Sequence, residues 1–298
     1  MDFTLHKKLI PDLASILLAS LLILLVPQAF ATPALVTTIK PLQLIAAAIT
    51  ADLMEPQLIL AAGQDPHEMV LRPSDRRLLS SAGLVLWIGP ALELPIASLV
   101  QDLPSRVLTV QTLPGIVLYG LGETIDPHMW LSLENAGTIA RALAQALGSL
   151  DPERSDAYFS NLQHFETALQ KLQVQTAGQL SGKPVLSWAV YHHAFQYIEQ
   201  EQTLPIPLAL TDSNNTLPGI RGLLEIRQEF KSRALNCLLA EPGTDWTKVH
   251  NMLDMPELSI IEADILGLAQ PVNASGYIQL YTGILNAISA CSKGGQDD

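Results

Sequence analysis

Histidine is scarce in this chain, and its placement is the first sign of chemistry. Seven histidines occur in 298 residues, and two of them, His67 and His128, stand in the same tripeptide, Asp-Pro-His. Proline fixes its own φ at about −65° and keeps the preceding residue out of the helical region, so each Asp-Pro pair makes a stiff approach to an imidazole. Stiff, neutral imidazoles suit Zn²⁺. The alternative is ordinary turn chemistry with an incidental histidine, because turns rich in Asp and Pro are common.

Each aspartate of these tripeptides has a possible supporting role. A carboxylate two residues before a histidine can accept a hydrogen bond from the backbone or from an imidazole N–H, which fixes the tautomer of the ring.

Further candidate ligands stand where strands are predicted to end. The pattern PVLSWA leads to His192 and His193, and SIIEAD delivers Glu262 and Asp264. His67 follows the apolar run QLIL in the same way. Ligands of α/β sheets gather at the carboxyl ends of the strands. These residues are therefore candidates for one binding site.

Strand and helix patterns alternate along the chain, which predicts parallel βα units. A long amphipathic helix is predicted from about residue 152 to residue 180, since apolar residues recur there at intervals of three and four. One set of βα units precedes this helix and another follows it. The predicted strands are ALVTTI, QLIL, LVLWIG and RVLTV before it, and PVLSWA, PIPLAL, NCLLAE and SIIEAD after it. The predicted helices cover 41–49, 73–81, 132–147, 192–200, 217–231, 246–253 and 277–291.

The first residues have the pattern of a secretory signal peptide. Lys7 and Lys8 form a basic start, and the apolar run from Ile16 to Val26 is shorter than the roughly 20 residues of a membrane span. The run leads to Ala29-Phe30-Ala31, which predicts cleavage after residue 31. The alternative is an uncleaved anchor. No later stretch of the sequence is long and apolar enough to span a membrane, so we expect an exported, soluble chain.

Charge and cysteine content agree with export. The formal net charge is −12, which disfavours nucleic acid and anionic lipid as partners. The chain has two cysteines, Cys237 and Cys291, and an even number in an oxidising compartment favours a disulfide. Neither cysteine has a CxxC partner or a nearby histidine, as a metal site would require.

Several ordered segments resemble the signatures of a known family. DPHEMVLRPSDRRLLSSAGLVLWIGPALE resembles the first signature of the cluster A-I metal-binding proteins of bacterial ABC transporters, including its final acidic residue, here Glu93. DPHMWLS is similar to the second signature and VYHHAFQYIEQ to the third. LNCLLAEP and IIEADILG resemble later strands, so the resemblance runs from about Val36 to Lys293. The chain looks closest to the zinc-specific, ZnuA-like branch.

The resemblance implies a fold and a ligand set. The fold is α/β: two βα lobes with mainly parallel four-stranded sheets, linked by one long rigid α-helix, with a metal site in the cleft between the lobes. Matched motif by motif, His67 and His128 from the first lobe and His192 from the second would bind the metal. Asp264 matches the fourth position, which water can fill instead, and His193 stands where relatives often have Asp. The implied segments are a signal peptide at 1–31, an N-terminal lobe at 32–150, a linking helix at 151–181 and a C-terminal lobe at 182–298.

The resemblance also bears on the cysteines, because Cys237 and Cys291 match the positions of a cystine in ZnuA-like relatives. One family feature is missing: many zinc-binding relatives carry a His-rich loop before the second signature, where this chain has only YGLGETI.

The implied ligands favour zinc. Three imidazoles with at most one carboxylate suit Zn²⁺, and manganese-binding relatives carry a carboxylate where this chain has His192. We therefore expect a monomeric, high-affinity periplasmic zinc-binding protein, not an enzyme, that delivers Zn²⁺ to an ABC permease in the inner membrane. Nucleic acid is not an expected partner.

Three other functions share these ligands. One is a manganese-binding protein of the same family. Another is a periplasmic mononuclear zinc hydrolase, which would need a general base beside an activated water, and the sequence has no HExxH motif to supply one. The third is a metal-binding adhesin, which differs in its location.

Overall fold

The computed structural model describes residues 34–61, 63–103, 106–121, 124–177 and 188–293. The predicted signal peptide at 1–31 lies outside these ranges. Of the helices within them, none combines the length and the apolarity that a bilayer crossing needs.

The first lobe is built on a parallel four-stranded sheet with the strand order β2-β1-β3-β4. Its short strands are mostly apolar, and β1 and β3 are buried along their whole length, as expected for a sheet covered on both faces. The strands are β1 (Leu35–Thr37), β2 (Gln57–Leu58), β3 (Leu84–Trp87) and β4 (Val107–Thr109). The helices are α1 (Lys40–Thr50), α2 (Pro73–Ser81), α3 (Ala97–Gln101) and α4 (Leu133–Leu150).

A small antiparallel hairpin, β5 (Gly120–Leu121) and β6 (Thr124–Ile125), precedes the second Asp-Pro-His segment. The sequence patterns did not predict this hairpin or α3, because two to five residues are too few to show a period. Ser132, the first residue of the helix predicted at 132–147, caps α4, and its side chain accepts a hydrogen bond from the Asn135 N–H.

The second lobe has a parallel four-stranded sheet with the order β10-β9-β7-β8. The strands are β7 (Ala189–His192), β8 (Leu208–Thr211), β9 (Cys237–Ala240) and β10 (Ser259–Glu262). The helices are α6 (Gln196–Gln202), α7 (Ile220–Ser232), α8 (Trp246–Leu253) and α9 (Gly276–Lys293). The disulfide between Cys237 and Cys291 joins β9 to α9 across a Cα–Cα distance of 5.5 Å.

The two lobes are linked by α5 (Ser155–Thr176), which follows a 3-10 turn at Pro152–Arg154. One face of α5 is buried against α1 and α4 of the first lobe and against α9 of the second. This apolar face consists of the residues that predicted the helix: Tyr158, Leu162, Phe165, Leu169 and Leu172. The fold is therefore α/β with two lobes and one long linking helix, as predicted. The predicted end of this helix at residue 180 lies outside the described residues, so the boundaries at 151 and 181 stay predictions.

Three predicted elements are shifted in the structure. The predicted strand PVLSWA lies mostly outside the described residues, and the strand at this place, β7, runs on to His192. The helix that follows begins at Gln196 rather than His192. The helix predicted from Leu217 begins at Ile220, because Pro218 keeps the residue before it extended and Gly219 is itself extended.

Candidate metal centre

His67 is carried by the loop after β2, on a 3-10 turn at Pro66–Glu68. The Asp65 carboxylate begins this turn and accepts the backbone N–H of His67 at 2.8 Å. The predicted stiff approach to the imidazole is therefore present. Within the described part of the chain, the His67 Nε2 atom is buried and has no hydrogen-bond partner. A buried nitrogen without a partner is costly unless something binds it, and a metal ion would do so.

His128 ends the second Asp-Pro-His segment and is fully buried. Asp126 Oδ1 accepts the His128 backbone N–H at 2.9 Å and faces the ring Nδ1 at 2.8 Å. Because the carboxylate is the acceptor, Nδ1 carries the proton and Nε2 keeps its lone pair for a ligand. Burial lowers the pKa of His128, and the Asp126 hydrogen bond and charge act against that effect.

His192 ends β7 in the second lobe and is also buried. Its Nδ1 lies 2.9 Å from Glu241 Oε1, and its Nε2 lies 3.3 Å from the carbonyl oxygen of Ser213. Burial lowers the pKa of this imidazole, but the hydrogen bond and charge of Glu241, together with the Ser213 carbonyl and the charge of Asp65, outweigh burial, and the pKa is raised overall. The carboxylate therefore orients the ring and increases its basicity.

The three imidazoles converge although they come from distant parts of the chain. Their ring centroids are 5.5 Å (His67–His128), 5.4 Å (His67–His192) and 4.7 Å (His128–His192) apart. One nitrogen of each ring lies within 4.8 Å of the other two. An ion at the centre of three such atoms lies at most about 2.8 Å from each, so shifts of roughly 0.7 Å bring them to the Zn–N distance of about 2.1 Å.

Proximity of the imidazoles also affects their protonation. Burial is the largest cause that lowers the pKa of His67 to about 4, and the neighbouring His128 and His192 add to it. His67 is therefore neutral at physiological pH, which is the form that binds a metal.

Asp264 lies on the wall of the same cavity, just after β10. Its Oδ2 accepts the backbone N–H of Ala269 at 3.0 Å. Its Oδ1 is buried and has no hydrogen-bond partner among the described residues. Asp264 does not belong to the group of atoms within 4.8 Å of one another, which holds the three imidazoles. Its place as a fourth ligand stays a prediction.

The cavity as a whole favours a cation. Its volume is about 340 Å³, and residues of both lobes line it. Asp65, Glu241, Asp245 and Asp264 line it together with Lys248, so carboxylates outnumber ammonium groups in this wall. Clefts lined mainly by one sign of charge attract the opposite charge.

Three residues of this region were not identified from the sequence: Glu241, Ser213 and Asn215. Glu241 directly follows β9, so its place at the end of the predicted strand NCLLAE was a signal for it. Ser213 and Asn215 belong to an irregular loop after β8, which has no periodic pattern to mark it. His193, next to His192, is outside the group of three imidazoles, and Glu262 is exposed at the end of β10.

The fold and the cavity define a class of protein. Two βα lobes joined by one helix, with imidazoles from both lobes meeting in a cleft whose charged side chains are mostly carboxylates, are the features of a binding protein for a metal cation. Comparison with known proteins supplies the family. Residues 35–291 match the family of the zinc-uptake complex component A, periplasmic, ZnuA, and the chain belongs to this family.

Relatives and solved structures agree with that membership. The high-affinity zinc uptake system protein ZnuA of Yersinia pestis is 27% identical over 307 residues, covering 93% of this chain and 96% of its own length. A crystal structure of ZnuA has a TM-score of 0.73 at 21% identity, covering 86% of this chain and 99% of that chain. The laminin-binding adhesin Lmb of Streptococcus agalactiae has a TM-score of 0.75 at 20% identity, covering 88% and 100%. These two structures share the fold with this chain.

Family membership confirms the predicted class. The family consists of binding components of zinc-uptake systems rather than enzymes, and its compartment is the periplasm. A component of such a system acts together with a membrane transporter.

Proposed function

We propose that this chain captures Zn²⁺ in the periplasm with His67, His128 and His192 and delivers it to an ABC permease in the inner membrane. The convergence of the three imidazoles, one nitrogen of each within 4.8 Å of the others, carries this proposal. The unpartnered, buried His67 Nε2 supports it. Asp264 or a water molecule completes the four-coordinate shell that Zn²⁺ prefers.

The ligand types support zinc over manganese. Neutral imidazole suits Zn²⁺, whereas Mn²⁺ prefers carboxylate, carbonyl and water oxygen atoms. A set of three imidazoles with at most one carboxylate therefore favours Zn²⁺ over Mn²⁺ by ligand chemistry. Cu²⁺ and Ni²⁺ would also bind such a set in vitro, so the choice in the cell depends on metal availability as well.

The remaining parts of the proposal concern export and partners. Residues 1–31 act as a cleavable signal peptide, and the mature chain works as a monomer. The net charge of −12 disfavours binding to nucleic acid. Release of zinc to the permease requires that one ligand withdraws from the other two.

Metal titration of the mature protein tests the site. We expect one Zn²⁺ per chain with sub-micromolar affinity, a much weaker response to Mn²⁺, and no hydrolysis of esters or peptides. His67→Ala, His128→Ala and His192→Ala should each weaken zinc binding by at least tenfold, because each removes one of three ligands. His164→Ala, on the exposed side of α5, is the matched control and should bind as the parent does.

Unchanged affinity in His67→Ala and His192→Ala would show that the ligands are assigned wrongly. Equal affinity for Mn²⁺ and Zn²⁺ would instead favour the manganese-binding alternative.

A further inference from the structure

A hydrogen bond joins the two lobes in the wall of the cavity. Asn215, in the loop after β8, donates its Nδ2 hydrogen to Asp65 Oδ2 at 2.9 Å, across 150 residues of sequence. The other oxygen of the same carboxylate, Oδ1, accepts the backbone N–H of His67. One carboxylate therefore connects a side chain of the second lobe to the turn that carries a candidate ligand of the first lobe.

Asn215 is itself held in place by its backbone conformation and its side-chain contacts. Its backbone is in the left-handed region, with φ +58°, which asparagine tolerates better than most residues. Its Oδ1 lies 3.2 Å from the Thr211 hydroxyl, which shares its hydrogen between this oxygen and the Tyr191 carbonyl at 3.0 Å. Thr211 belongs to β8 and lies opposite His192 in the register of β7 and β8. Asn215 is therefore held in place relative to His192.

The surrounding loop is stiffened by Asp212. Its Oδ1 accepts the backbone N–H groups of Asn214 and Thr216, both at 2.9 Å. The backbone adds a bond from Asn215 N–H to the Asp212 carbonyl at 3.0 Å. The amide of Asn215 is thus presented to Asp65 by a compact turn.

His128 is fastened to the second lobe in a different way. The Trp130 indole N–H donates to the Ile265 carbonyl at 2.9 Å, and the Tyr277 hydroxyl donates to the Trp130 carbonyl at 2.7 Å. The Tyr197 hydroxyl donates to the Asp126 carbonyl at 2.9 Å. These bonds are buried, whereas the bond from Asn215 to Asp65 is partly exposed.

A buried hydrogen bond costs more to break than one that water can replace. The segment with His128 belongs to the first lobe in the sequence, yet these bonds keep it with His192. Of the two first-lobe imidazoles, His67 is therefore the one that can separate from His192 at the lower cost in free energy.

We propose that Asn215 is a positioning residue for zinc. Through its bond to Asp65 it holds the His67 turn to the second lobe. When this bond opens, His67 withdraws while His128 and His192 stay together. The proposal rests on the proposed function, because it assigns the release step of the same site. Asn215 acts through Asp65 and the turn, without touching the metal.

An exchange of the two side chains tests the bond directly. In Asn215→Asp two carboxylates face each other, and in Asp65→Asn the charge of the acceptor is lost. The double variant Asp65→Asn with Asn215→Asp restores a charge-assisted bond in the reverse direction. In it the amide oxygen introduced at position 65 still accepts the His67 N–H, and the carboxylate introduced at position 215 still accepts the Thr211 hydroxyl. Asn214→Asp is the matched control, because it adds the same charge one residue away at an exposed position.

The readout is the rate of Zn²⁺ dissociation from the mature protein, followed by stopped-flow mixing with a chelator. Loss of a bond to a charged group should speed release about tenfold in Asn215→Asp. We expect the release rate of the double variant to return to within about threefold of the parent rate. The release rate of Asn214→Asp should stay within the same range. Asn215→Gly, which keeps the left-handed backbone but removes the amide, should also release zinc faster. Urea unfolding of each metal-free variant checks that the fold is intact.

Two results would overturn the inference while the proposed function stands: release at the parent rate in Asn215→Asp and Asn215→Gly, or faster release that the double variant does not restore. If the parent protein binds no Zn²⁺, the proposed function fails first, and the inference fails with it.

Discussion

Glu93 offers the sharpest test of the electrostatics of the first lobe. Its side chain is completely buried in the turn after β3, where Oε2 accepts the backbone N–H of Gly89 at 3.1 Å. Burial raises the pKa of this carboxyl from 4.5 to about 7, because the charged form loses its hydration, and the nearby polar groups of Thr38, Gly89 and Ile88 offset this only in part. Glu93→Gln keeps the shape of the side chain and an oxygen that accepts the Gly89 N–H, but it cannot ionise.

The sign and size of the effect on folding stability follow from the two pKa values of Glu93, 4.5 in the unfolded chain and about 7 in the folded chain. Between pH 4.5 and 7 the unfolded chain releases the Glu93 proton while the folded chain keeps it, so folding stability falls as pH rises through this window. With a native pKa of about 7, the wild type loses about 2.5 kcal/mol between pH 5 and pH 8 on account of this group. Glu93→Gln avoids that loss.

Urea unfolding at pH 5, 6, 7 and 8 measures the effect for both proteins. The difference between the two unfolding free energies isolates Glu93, because other groups titrate equally in both. One of these is Glu199, whose pKa burial also raises to about 7. Relative to the wild type, the unfolding free energy of the variant should rise by about 2.5 kcal/mol between pH 5 and pH 8. Parallel stability profiles from pH 5 to pH 8 would refute the reasoning, since they would mean that Glu93 ionises in the folded chain as easily as in water.

Two further predictions concern the second lobe. Glu241→Gln should weaken Zn²⁺ binding at pH 8 by roughly ten- to hundredfold, because His192 loses the carboxylate that orients it. The pKa of His192 is raised, so protons compete with zinc as pH falls through neutrality, and the variant should show this competition only at lower pH. Titrations at pH 6 and pH 8 check both points. Unchanged affinity at pH 8 would contradict the first, and identical pH dependence in the two proteins would contradict the second. Replacing Cys237 and Cys291 by alanine should lower the free energy of unfolding by about 4 kcal/mol, since the bond closes a loop of 54 residues. Urea unfolding measures this, and an unchanged midpoint would contradict it.

Much of the fold was predictable because its signals are local. Apolar periodicity marked the long helix, and the residues that predicted it form its buried face. The helices at 73–81 and 246–253 have the predicted bounds, since Pro73 opens the first and Asp245 caps the second. Element ends were less predictable where the structure overrides local preference. His192, placed in a helix from the sequence, ends a strand because β7 pairs with β8 up to this residue.

The candidate site likewise has residues that the sequence could indicate and residues that it could not. The frame of the two Asp-Pro-His tripeptides and the resemblance to a family indicated all three imidazoles, and their convergence is found in the structure. The roles of Glu241 and Asn215 come from contacts across 49 and 150 residues, which no local pattern records. The place of Glu241 at the end of a predicted strand was a signal for the residue but not for its partner.

By itself, the sequence determined the types of ligand and the stiff Asp-Pro turns that carry two of them, since residue type and backbone restriction are local properties. It also determined the alternation of strands and helices that places ligands at the ends of strands. Only the tertiary structure decided which atoms meet. It assigned Glu241 to His192, left His67 Nε2 without a partner among the described residues, and bound the segment of His128 to the opposite lobe. The physical reason is that hydrogen bonds depend on distances of about 3 Å between groups, which the folding of distant segments sets.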